Sequence, residues 1–163
     1  MSKASFSRRT VEEALAADGV FHLRASGVSM QPTIPPGSLL LICPLQGIPR
    51  VGEVVLVHPH DSLWLCHRVL KLLPGGRIIT KGDGNPGADA PVEQHDILGV
   101  VTGMYLPGGR YVDLQTISQR MMAGLIVPVE KHFPGALRTA VHCVRHARGV
   151  ARPWYNHVRK WLP

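Results

Sequence analysis

Ala25-Ser-Gly-Val-Ser-Met-Gln-Pro-Thr-Ile-Pro-Pro-Gly37 is the stretch on which the reading of this chain turns. Ser29 stands between Gly27 and the turn Met30-Gln31-Pro32. In such a loop one serine can offer its hydroxyl for attack on a carbonyl and its own amide to the oxyanion that develops. Pro32, Pro35 and Pro36 restrict the backbone, so attack needs little reorganisation. Read alone, the stretch is first of all a Gly/Pro-rich structural turn that happens to contain serines.

The segments around it read as strands and turns. LLLI, VVLV, LWLCHRVLKLL, RIIT, ILGVVTGMYL and RYVDL are short, apolar and partly β-branched, and Gly and Pro separate them. Leu73-Pro-Gly-Gly-Arg77 and Leu106-Pro-Gly-Gly-Arg110 read as hairpin turns, with Gly supplying positive φ and Pro presetting the first corner. Residues 21–115 are therefore expected to form one mainly β domain. Ahead of it, in residues 1–20, Thr10-Val-Glu-Glu13 predicts a capping box and a short helix over about 11–17, ending near Gly19. Beyond it, residues 116–163 read as a helical tail. ISQRMMAGLIV predicts one helix, ended by Pro128. Gly135 to about Arg152 predicts another, with Leu137, Val141 and Val144 at helical spacing and Arg138, Arg145, Arg148 and Arg152 as a basic complement.

Charge separates the same two parts. Residues 1–119 hold ten Lys/Arg and ten Asp/Glu, whereas residues 120–163 hold eight Lys/Arg and only Glu130. The whole net charge of +7 therefore belongs to the tail. A length of 163 residues fits one domain with a short appended segment, and an apolar fraction of 45% sets disorder aside for most of the chain. Cys43, Cys66 and Cys143 are an odd, widely spaced set. They predict neither a disulfide framework nor a zinc site, but small buried thiols in a reducing compartment. The polar N-terminus lacks the apolar region of a signal peptide, and no run of about 18 apolar residues predicts a membrane-spanning helix.

Two further signals carry chemistry. In the strand containing Cys66-His67-Arg68-Val69, alternation puts Trp64 and Cys66 on one face and Leu65, His67 and Val69 on the other. An inward histidine with apolar neighbours is usually a satisfied core residue. An imidazole is also the commonest activator of a serine. In Lys81-Gly-Asp-Gly-Asn-Pro-Gly-Ala-Asp89, Asp83 and Asp89 flank a turn directly after RIIT. Either carboxylate could serve an Asx-type turn, or could orient an imidazole and stabilise its charged form.

Taken in order, SGVSMQPT, CHRV, KGDGNPGAD and ILGVV resemble the signal peptidase I superfamily across about residues 24–104. The resemblance is to its Ser/His branch, found in the endoplasmic reticulum, archaea and sporulating bacteria. The other branch and LexA-type repressors use lysine as base, and His67 stands where that lysine would. The resemblance implies a signal peptidase/LexA-like β-rich catalytic domain with Ser29 as nucleophile and His67 as general base. Asp89 matches the third catalytic position, and Asp83 matches the acidic residue of the Gly-Asp-x-Asn turn. Asp89 ranks ahead of Asp83 as the partner of His67. Gly27, Met30, Pro32 and Thr33 shape the substrate and oxyanion loop, and Gly37 matches the Gly of a Gly-Asp pair. Here the chain departs from the pattern, with Ser-Gly-Val-Ser-Met for the usual Ser-Gly-Ser-Met, Ser38 for the usual Asp, and no membrane anchor.

The activity this implies is a serine endopeptidase that needs no cofactor and no metal and cuts an extended peptide or leader after a small residue. The peptide or protein substrate would bind as an added strand. His67 must be neutral to accept the Ser29 proton, so activity should rise with pH as the imidazole deprotonates. Two alternatives remain: a catalytically inactive peptide-binding scaffold of the same fold, and a LexA-type self-cleaving domain. About 24 residues precede the nucleophile motif, too few for a helix-turn-helix domain. The tail has three readings: a solvated helical face with core Trp residues, a dock for a protein partner, or, over residues 136–163, contact with an anionic membrane surface. No nucleic acid is expected. The expected location is the cytoplasm or the cytoplasmic face of a membrane.

Overall fold

The computed structural model describes residues 6–59 and 63–115. The tail expected over 116–163, including Cys143 and the proposed membrane segment 136–163, lies outside the described residues.

Helix α1 spans Arg8–Asp18 and begins earlier than the Thr10–Glu13 capping box predicts. Ser7 is the N-cap, accepting a hydrogen bond from the Thr10 amide, and Thr10 lies inside the first turn. The earlier start places Arg8 and Arg9 one helical turn before Glu12 and Glu13, with N···O separations of 2.8 and 2.6 Å. Arg9 therefore holds the carboxylate that a Thr10 cap would have used. Gly19 ends the helix at φ 69°, its amide donating to the Leu15 carbonyl. Val11 and Leu15 are buried against the sheet.

The rest is mainly β, as expected, and forms one seven-stranded antiparallel sheet. Its strands are β1 (Phe21–Arg24), β2 (Leu39–Cys43), β3 (Val54–Val57), β4 (Leu65–Leu72), β5 (Ile78–Lys81), β6 (Ile97–Tyr105) and β7 (Tyr111–Asp113). The order is β1-β2-β6-β3-β4-β5, with β7 also paired to β6. Strand β6 organises the sheet. It takes β2 along one edge, and β3 and then β7 along the other. Both Leu-Pro-Gly-Gly-Arg segments are hairpin turns. Each closes with the same bond, Leu73 N to Arg77 O and Leu106 N to Arg110 O, both 2.8 Å. Both glycines of each turn take positive φ, which is why glycine stands there.

Both faces of the sheet are covered. Strand β3 shows this best, because all four of its residues are buried. Val54 and Leu56 join one core with Met30, Ile34, Val101 and the α1 side chains. Val55 and Val57 join a second core with Val69, Ile78 and Ile97. Leu56 has no solvent exposure, so its truncation to Ala should cost about 2–5 kcal/mol in lost transfer energy and cavity.

Strand β4 follows the expected alternation. Trp64 and Cys66 pack on the first core, and Leu65 and Val69 on the second. His67 lies opposite Val55, and Arg68 opposite Val54. Two consecutive polar residues of one strand thus point to opposite faces.

Candidate active site

The loop that carries Ser29 is an excursion of the β1–β2 hairpin. Ala25 N donates to Ser38 O at 2.8 Å and Gly37 N donates to Ala25 O at 2.7 Å, which ties the two ends together. Gly37 needs its φ of 86° to make this closure. Ser38, where the resembling family has Asp, is fully buried and donates to the Pro35 carbonyl at 2.7 Å. Met30 and Ile34 anchor the loop from within the first core, and Ile34 N donates to Met30 O at 2.9 Å. Pro32 follows a cis peptide bond and is exposed.

Ser29, His67 and Asp89 come from three separate segments and meet in one hydrogen-bonded chain. Ser29 Oγ lies 3.0 Å from His67 Nε2, and His67 Nδ1 lies 2.6 Å from Asp89 Oδ2. A carboxylate only accepts, so Nδ1 carries the proton it donates to Asp89, and Nε2 is left to accept from the serine. The imidazole is buried by its strand, with 4% side-chain exposure, while Asp89 keeps 20%. Thr80 of β5 donates to the same Asp89 oxygen at 2.8 Å, and the Asp89 amide donates to the Thr80 carbonyl at 2.9 Å.

Asp83 is not bonded to His67. It belongs to a second assembly built on Arg68. Arg68 Nε donates to Oδ1 at 2.8 Å and Nη2 to Oδ2 at 2.7 Å, a two-pronged pair with both side chains buried. Arg68 Nη1 also donates to the Gly52 carbonyl at 2.6 Å, and the Thr33 hydroxyl donates to Asp83 Oδ2. The turn itself closes through Asn85 N to Gly82 O at 2.9 Å, not through the Asp83 carboxylate. Asp83 therefore links three segments: β4 through Arg68, the Ser29 loop through Thr33, and its own turn.

That turn lies directly on the Ser29 loop. Gly84 N donates to the Ser29 carbonyl at 2.7 Å. A Cβ at Gly82 would sit 2.6 Å from Ser29 O and 2.9 Å from Ser29 Cβ. A Cβ at Gly84 would come within 3.1 Å of both the Val28 and Gln31 carbonyls. Close approach requires glycine at Gly82, and a side chain at Gly84 would press on the two carbonyls. Gly27 is different: its φ is not positive and a Cβ there would meet only Ser29 N, at 4.0 Å. Gly27 is thus not held by close approach, whereas Gly82 and Gly84 are packed on the loop.

Sequence reasoning singled out Ser29, His67 and Asp89, which meet in one hydrogen-bonded chain, Asp83 and Thr33, which join the Arg68 assembly, and Gly27, Met30 and Pro32, which lie in the loop around Ser29. It passed over Arg68, Thr80, Gly82 and Gly84. Arg68 had a usable signal, since an arginine inside an apolar strand needs a buried partner. Cys66, between Leu65 and His67, packs on the opposite core, and burial pushes its thiol up to about 12. It is a packing residue beside the site. Among the described residues, no cluster of three His, Cys, Asp or Glu side chains could hold a metal ion, and no helix is long and apolar enough to cross a membrane. An open groove of about 740 Å³ runs between α1 and the β5–β6 connection, past Glu12, Leu15, Leu45 and Glu93, and none of the site residues lines it.

No family model, curated protein or solved structure matches the chain.

Proposed function

We propose that this chain is a serine endopeptidase of the signal peptidase type, in the Ser/His branch of that superfamily, with a LexA-like catalytic fold. The observation that carries the proposal is the chain from Ser29 Oγ through the imidazole of His67 to Asp89, at 3.0 and 2.6 Å. Ser29 Oγ attacks the carbonyl carbon of the scissile bond while His67 Nε2 takes its proton. Asp89 holds the tautomer that makes this transfer work and stabilises the imidazolium that results. The Ser29 amide, which donates to no backbone carbonyl among the described residues, supports the oxyanion. Collapse of the tetrahedral intermediate expels the amine with the proton from His67. Water, deprotonated by the same imidazole, then releases the acyl group from Ser29.

The substrate is an extended peptide with a small residue before the cut. Strand β5 pairs with β4 only from Arg68 onward, so the β4 edge from Leu65 to His67 has no strand partner there among the described residues. A peptide added at this edge would run beside His67, with backbone hydrogen bonds supplying affinity. Residues 136–163 are the segment to which we assign any docking on an anionic membrane.

Wild type and Ser29→Ala should be incubated with a library of extended peptides carrying small residues, with and without anionic liposomes. Cleavage by wild type alone is the expected result, with a preference for small residues before the cut. Equal cleavage by both forms, or by neither, overturns the peptidase reading. Liposome-dependent cleavage supports the membrane role of the tail, and indifference to liposomes removes it.

A further inference from the structure

We propose that Thr80 is a positioning residue for this reaction, holding the Asp89 carboxylate in the orientation that His67 requires. The inference rests on the peptidase reading above. Asp89 lies in a loop and is one-fifth exposed, so nothing in its own segment fixes its rotamer. A single residue of β5 supplies the missing constraint twice. The Thr80 carbonyl accepts from the Asp89 amide at 2.9 Å, and the Thr80 hydroxyl donates to Asp89 Oδ2 at 2.8 Å. Oδ2 is also the oxygen that accepts from His67 Nδ1.

Thr80 is itself held firmly. It is 1% exposed and sits in register with Val69 across the β4–β5 pair. His67 and Thr80 therefore ride on neighbouring strands of one sheet, and Asp89 is held between their side chains. The Thr80 hydroxyl has one proton, and Asp89 receives it. Two donors on one oxygen fix its direction and share its charge. Without the hydroxyl, the carboxylate is free to turn, and its full charge acts on the imidazole. The first effect slows proton transfer. The second changes the field at His67 Nδ1–H, which the proton resonance of that group reports. The other charged groups nearby are the Arg68–Asp83 pair on the opposite face of β4 and Lys81 beside Thr80. Thr80→Val alters neither, and it keeps the shape of the side chain while removing the donor.

The test uses Thr80→Val and Thr80→Ser in the full chain, with two readouts. One is kcat and KM for a cleaved peptide as a function of pH. The other is the proton NMR resonance of His67 Nδ1–H, which needs no activity. Expected for Thr80→Val is a loss of roughly tenfold in kcat with KM little changed, the size of one hydrogen bond to a charged group. The Nδ1–H resonance should shift or broaden. Thr80→Ser, which restores the hydroxyl, should recover both the rate and the resonance. Wild-type kinetics and an unmoved resonance in Thr80→Val overturn the proposal. So does a Thr80→Ser variant as impaired as Thr80→Val, because that would assign the loss to packing. If wild type cleaves nothing, the peptidase reading falls and the resonance alone decides: moved by Val and restored by Ser supports the positioning role, and unmoved overturns it.

Discussion

Asp83 and Asp89 leave the same turn after β5 and arrive at neighbouring residues of β4, yet they build opposite kinds of site. Asp83 is almost wholly buried and meets a permanent cation, Arg68, through two bonds, with Thr33 as a third partner. Every contact is with protein, and the assembly binds loop to strand. Asp89 keeps part of its surface and meets a side chain that can gain and lose a proton, which in turn faces a hydroxyl. The alternation of one strand, His67 to one face and Arg68 to the other, separates a buried ion-pair clamp from the hydrogen-bonded chain that ends on Ser29. Similar carboxylates thus take different roles from the chemistry opposite them and from how far water reaches them.

Substitutions can break this contrast. The largest expected effect is on the reactive side. Asp89→Asn removes the acceptor that fixes the His67 tautomer, and cleavage should fall by about 10³–10⁴-fold with little change in thermal midpoint. A comparable loss of folding stability instead would make Asp89 a second clamp. Next comes the structural side. Asp83→Ala strands the buried Arg68 guanidinium, and urea unfolding should show a loss of about 3–5 kcal/mol. Replacing Asp83 and Arg68 together by Leu should recover much of that stability. A double variant no better than the single would show that Thr33 and Gly52, more than the ion pair, hold the clamp.

Smaller effects sharpen the boundary between the two assemblies. Gly82→Ala drives a Cβ against the Ser29 carbonyl, so Ser29 must shift. A displacement of that kind should lower kcat by up to about 100-fold. Gly27→Ala meets no such contact and should leave stability within about 0.5 kcal/mol of wild type. Smallest at neutral pH is Cys66, whose thiol burial raises from 9.0 to about 12. The folded state keeps this proton where the unfolded state has lost it. Its contribution to stability is intact below pH 9 and is lost as pH rises toward 12. Unfolding titrations of wild type and Cys66→Ala across that window should converge at high pH.

The strands were legible because Gly and Pro punctuate apolar runs cleanly, and the two Leu-Pro-Gly-Gly-Arg turns are hairpins of one design. Strand β1 was not singled out, because FHLR is short and half polar and takes its place from pairing with β2. Ser7 and Thr10 are both good caps, and the earlier start adds the Arg8 and Arg9 pairings and the Ser7 bond to the Thr10 amide. Residue types alone do not say which carboxylate meets His67, since Asp83 and Asp89 share a loop whose path the sequence does not specify, and only the family resemblance ranks Asp89 first. Thr80 and Gly82 were invisible for a related reason. Thr80 meets Asp89 only because the intervening turn folds back on β5, and Gly82 meets Ser29 from a distant segment, with no periodicity to mark either.

The central claim, that Ser29 is the nucleophile, is tested most directly by acid-quenching the enzyme during turnover of a cleaved peptide and mapping the mass of every fragment. The expected result is an ester of the N-terminal product on the peptide that contains Ser29, present in wild type and missing in Ser29→Ala. Continued cleavage by Ser29→Ala, or an acyl group found on another residue, would contradict it.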